Sequence, residues 1–83
     1  MTDEATPEQL RQALSDIDDE LADLRKVVDD IRSRLSREAG GVEDSEGVAA
    51  ELTGLEETQA IIGILEGRRE AVLERRRALG AAD

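Results

Sequence analysis

Cysteine, histidine, phenylalanine, tyrosine and tryptophan are all absent from this chain of 83 residues, and proline and lysine occur once each, as Pro7 and Lys26. Without cysteine or histidine, a disulfide framework and the common zinc sites are excluded. Without aromatic rings the core must be aliphatic, and no platform exists on which single-stranded nucleic acid could stack. No stretch approaches the roughly 20 apolar residues that a membrane helix needs. The first five residues are polar and acidic, so the expected setting is cytoplasmic, which also suits a cysteine-free chain. Acidic residues number 21 against 11 basic ones, and the resulting net charge of -10 repels phosphate backbones while favouring basic protein surfaces or cations. Direct binding of nucleic acid is therefore not expected.

What is present is an aliphatic repeat. Leu10, Leu14, Ile17, Leu21, Leu24, Val28, Ile31 and Leu35 alternate at spacings of three and four. Each step advances one turn along a single narrow stripe, which can leave water only against another helix. A chain this short allows one domain and buries a small share of its surface, so with disulfide and zinc staples excluded, oligomerisation is the route left to added stability.

Thr6-Pro7-Glu8-Gln9 is a helix start. The Thr hydroxyl can accept an orphan amide, Pro suits the first helical position, and Gln9 completes a capping box. The expected organisation is a disordered stretch over 1–5, helix 1 over 6–39, an acidic turn over 40–45, helix 2 over 46–79 and a tail over 80–83. Gly40-Gly41 stops the first helix, Asp44 or Ser45 caps the second, and Gly80 is expected to end it. Acids cluster early and arginines late in both helices. A chain folded back on itself sets each acidic end beside a basic one and suits both macrodipoles, so the fold class is all-α, an antiparallel two-helix hairpin.

Helix 2 carries apolar residues on more than one line, Ile61, Leu65, Val72 and Leu79 on one and Leu52, Leu55, Ile62 and Leu73 on an adjacent one. One facing helix cannot cover both, which predicts a homodimer forming a four-helix bundle, with Leu52, Leu55, Ile61, Ile62, Leu65, Val72 and Leu73 as the interface. Arg69 and Arg76 stand where aliphatic residues belong in the seam, their stems covering apolar surface and their guanidinium groups reaching Asp16 or its neighbours. Gly54, Gly63 and Gly67 each cost about 1 kcal/mol relative to Ala inside a helix, so something must offset them or the helix is locally soft there.

Catalytic chemistry finds little footing. Ser15, Ser33, Ser36 and Ser45 have no histidine to activate them, and the single lysine does not sit in a phosphate loop. Arg68 and Arg69 with nearby acids could face an anionic substrate, but no spacing requires it. The adjacent pairs Asp18-Asp19 and Asp29-Asp30 diverge by about 100 degrees on a helix and read as solvated faces rather than metal ligands. The expectation is a protein that is not an enzyme, needs no cofactor, and binds itself and a basic or helical protein partner. One place differs: Glu43, Asp44 and Glu46 gather three carboxylates at the hairpin tip, where they either cap helix 2 or offer oxygen ligands to a hard cation.

Two windows bear a family resemblance. Gly63-Ile64-Leu65-Glu66-Gly67-Arg68 resembles the Gly-x-Leu-Glu-Gly-Arg stretch in the second helix of the coiled-coil arm of Gre-type transcript cleavage factors. Glu43-Asp44-Ser45-Glu46-Gly47 resembles that family's acidic tip, Asp-Leu-Ser-Glu-Asn, and departs from it at 43, 44 and 47. The resemblance implies a hairpin that enters the secondary channel of RNA polymerase, with Glu43 and Glu46 helping to hold Mg2+ at the polymerase active site and a role in regulating transcription.

Overall fold

The computed structural model describes the backbone of residues 5–39 and 45–81, with side chains over 5–37 and 47–80. It consists of two α-helices packed side by side, α1 (Pro7–Ala39) and α2 (Ser45–Ala81), with no strand among the described residues. The hairpin is a rod 62 Å long and 18 by 16 Å across. None of its described helices is long and apolar enough to cross a membrane.

The capping box forms as its sequence implies. The Gln9 amide donates to Thr6 Oγ1 at 3.1 Å, Gln9 Oε1 accepts from the Thr6 amide at 2.9 Å, and the Leu10 amide donates to the Thr6 carbonyl at 3.0 Å. Two orphan amides are thereby satisfied, a contribution of about 0.5 to 2 kcal/mol at such caps, and Pro7 at the first helical position has no amide to waste.

The end of α2 differs from expectation. Gly80 does not stop the helix, which runs on to Ala81, and it starts at Ser45 rather than 46. None of the described glycines takes a positive φ, so Gly80 adopts no left-handed cap. Glycine tolerates the right-handed helix, and the alanines that follow have the highest helical propensity, so nothing local breaks the ladder. Because the helix extends past Arg77, its last turn contains no base. Arg75, Arg76 and Arg77 lie further in than complementing the dipole would place them.

Three cross-helix ion pairs set the antiparallel register: Arg34 Nε with Glu51 Oε1 at 2.9 Å, Arg69 Nε with Asp18 Oδ1 at 2.6 Å, and Arg25 Nη2 with Glu66 Oε2 at 3.1 Å. Along α2 the three-four stripe facing α1 is Val48, Glu51, Leu55, Thr58, Ile62, Leu65, Arg69, Val72, Arg76 and Leu79. Continued along both helices at helical spacing, this register sets Leu14 level with Val72, Ile17 with Arg69, Leu21 with Leu65, Leu24 with Ile62, Val28 with Thr58, Ile31 with Leu55, and Leu35 with Glu51. Leu10, Leu14, Leu21, Val28, Ile31 and Leu65 are buried. Ile17, Leu24 and Leu35 are half-buried, so the seam expected on α1 holds throughout but centres on Leu21.

The seam of α2 is drawn from both of the lines read in its sequence. Leu55 and Ile62 come from one, Leu65, Val72 and Leu79 from the other, because knobs-into-holes packing alternates three-four steps and no single line supplies them. Val48 and four polar residues, Glu51, Thr58, Arg69 and Arg76, complete it. Thr58 donates its hydroxyl to the Gly54 carbonyl at 2.8 Å, which satisfies the part-buried group within its own helix, and Glu51 receives Arg34.

Candidate interaction surface

Arg69 illustrates how the seam accommodates charge. Its stem lies in the layer with Ile17 while Nε donates to Asp18, the neighbour of the expected Asp16, which accepts instead from Gln12 Nε2 at 2.9 Å. Hydrogen bonding to Asp18, and secondly that carboxylate's charge, hold the Arg69 guanidinium above its ordinary range. A shallow groove on this flank is lined by Asp18, Leu21, Arg25, Glu66, Arg69 and Glu70, and four of its five charged groups pair with one another. Arg68 points to the other flank, since consecutive helical residues diverge by about 100 degrees, so the two arginines do not converge on one anion.

The opposite flank is of another kind. Residues 58–65 of α2, Thr-Gln-Ala-Ile-Ile-Gly-Ile-Leu, form an uncharged stretch of more than two turns in a chain that is 39% charged. Only Leu65 within it is buried; Ile61 is 46% and Ile64 59% exposed. Because Arg25 and Glu66 meet on one side of the seam, Val27 and Ile61 share the other, and Val27 is also 42% exposed. Three β-branched aliphatic side chains thus stand in water on one flank.

Of the seven residues expected at the interface, Leu65 is buried against α1 and Leu55, Ile62, Val72 and Leu73 are half-buried, while Leu52 and Ile61 remain exposed. Leu52 lies on the Arg25–Glu66 flank, away from Ile61, so the apolar excess of α2 is split by the seam. Ile64 and Val27 were not singled out from the sequence, although the charge-free stretch around Ile64 is visible in it.

Gly63 and Gly67 face open space, while Gly54 is half-buried. A Cβ added at Gly63 or Gly67 would meet nothing within 4 Å, and one at Gly54 would touch only Ile31 Cδ1 at 3.9 Å, an ordinary contact. No close approach of α1 requires any of the three.

Of the tip residues, Glu43 lies outside the described residues, and of Glu46 only the backbone is described, in the first turn of α2. Among the described residues no group of three or more acids is disposed to hold a metal ion.

No protein-family model matches the chain, and no curated protein or solved structure matches it either.

Proposed function

We propose that this chain is a small acidic protein–protein interaction module, non-enzymatic and cytoplasmic, that acts through its helical faces as a homodimer and toward a basic or helical partner. The observation that supports this is the exposed Ile61 and Ile64 at the centre of an uncharged stretch. Such a patch costs hydration free energy while it faces water, and burying each Ile side chain contributes about 1.5 to 3 kcal/mol. The groove on the other flank, where most charges already pair with each other, has much less to offer a partner.

Changing Ile61 and Ile64 together to Glu tests this reading. Both side chains are about half exposed and neither lies in the seam with α1, so the helicity and cooperative melt of the hairpin should survive, while association with itself or with a protein partner drops by about a hundredfold or more. Circular dichroism alongside sedimentation and pull-down separates the two effects. Loss of the fold with these changes, or association equal to the wild type, would sink the proposal.

A second reading, a Gre-like factor of the RNA polymerase secondary channel, draws support from the long antiparallel hairpin, the shape of that family's arm. It expects Glu43→Gln with Glu46→Gln to leave fold and polymerase binding intact but abolish Mg2+-dependent stimulation of transcript cleavage in stalled elongation complexes, because Gln keeps the shape and removes the charge a hard cation needs. Wild-type protein that neither binds polymerase nor alters cleavage would end it.

A further inference from the structure

The exposed isoleucines belong to a second three-four stripe on α2, displaced from the seam with α1: Ala50, Gly54, Glu57, Ile61, Ile64, Arg68, Ala71 and Arg75. Its order is self-complementary about a point between Ile62 and Gly63, with like apolar residues near that point and opposite charges outside them. Acid, apolar, apolar, base reads Glu57, Ile61, Ile64, Arg68. Turning a second α2 end over end about that point brings Ile61 opposite Ile64, Glu57 opposite Arg68 and Gly54 opposite Ala71, each pair occurring twice by symmetry. Antiparallel coiled coils pair alternate core positions in this way.

We propose that a second copy of this chain docks antiparallel along this stripe, α2 against α2, with the twofold axis between Ile62 and Gly63. The inference rests on the interaction-module reading above and names the partner and register of its surface. Three observations choose a second copy over another occupant. Glu57 and Arg68 are exposed and make no ion pair or side-chain hydrogen bond with any described residue of their own hairpin, unlike Glu51, Glu66 and Arg69, so their charges are available to complement a copy. A basic partner helix would meet Arg68 and Arg75, whereas the stripe complements itself. The outer surface of α1, with Asp16, Asp19, Glu20, Asp23, Asp29 and Asp30 exposed on a chain of net charge -10, repels a second copy and leaves α2 as the face open to it. A parallel arrangement fails on the same charges, since it would set Glu57 beside Glu57 and Arg68 beside Arg68 with aligned macrodipoles.

Reciprocal charge reversal tests the pairing on the full chain. Glu57→Arg alone and Arg68→Glu alone each place like charges opposite one another, and each should raise the dimer dissociation constant by about tenfold or more in sedimentation. The double variant Glu57→Arg with Arg68→Glu restores opposite charges across the axis and should return affinity to within about threefold of wild type. Circular dichroism should show unchanged helicity in all three. Direction is read separately with Gly54→Cys and Ala71→Cys in a chain that has no cysteine of its own. In the antiparallel dimer like positions are 17 residues out of step, roughly 25 Å apart along the axis. A short bismaleimide should therefore cross-link a mixture of the two variants and neither one by itself. Homotypic cross-linking, or charge reversals without effect on a dimer that does form, would overturn this register while leaving the module reading in place. A wild-type chain that stays monomeric at tens of micromolar would overturn the proposal, and the Ile61 and Ile64 test with a heterologous partner would then decide the module reading alone.

Discussion

Leu21→Ala should destabilise the hairpin by about 2 to 5 kcal/mol, the range for truncating a fully buried Leu. Leu21 is 2% exposed and the register sets it level with Leu65, at 5%, the one layer among the described residues in which both partners are buried. Truncation leaves a void between two helices whose remaining layers each include a partly exposed or polar member, so the neighbours have little apolar mass with which to refill it. Small domains are stable by only about 5 to 15 kcal/mol, which makes this loss a large fraction of the whole. The readout is a urea or thermal melt followed by far-ultraviolet circular dichroism, since the chain has no aromatic fluorophore. A change under about 0.5 kcal/mol, the range of surface sites, would move the centre of the seam away from Leu21.

Gly63→Ala combined with Gly67→Ala should stabilise the hairpin by about 2 kcal/mol, roughly 1 kcal/mol for each residue. Both glycines lie within α2 in right-handed helical geometry, and an added Cβ at either meets nothing within 4 Å, so the substitution removes backbone entropy from the unfolded chain without strain in the folded one. Measured in the Ile61→Glu, Ile64→Glu background, where self-association does not contribute, the midpoint should rise. A fall would mean that an added Cβ at one of these positions is strained within the hairpin itself.

The Leu10 to Leu35 repeat was enough to define the buried face of α1, because a helix whose apolar residues keep to one stripe has one way to leave water. Thr6 and Gln9 announced the start of that helix through purely local hydrogen bonds. The order of acids and bases in the two helices foretold their antiparallel course. Gly80 misled, since a glycine can end a helix but is not obliged to.

The seam of α2 was beyond the reach of its own sequence. Apolar residues of this helix spread over more than one line, with Glu51, Arg69 and Arg76 interrupting them, so its periodicity selects no single face, and Ile61 and Ile62 have equal intrinsic claims to burial. What chose Ile62 was α1: a fixed stripe on one helix, with Arg34, Asp18 and Arg25 beside it, admits only the register that brings Glu51, Arg69 and Glu66 within reach while stacking Leu65 on Leu21. The exposure of Ile61 and Ile64 follows from that choice. Local patterning thus determined which segments are helical and how the first of them begins, because those depend on contacts within a few residues, and the order of charges indicated which way they run. Which face of α2 is buried and which is left for a partner depended on contacts more than forty residues apart in the chain, such as Arg25 with Glu66 and Arg69 with Asp18, and only the packed hairpin brings those together.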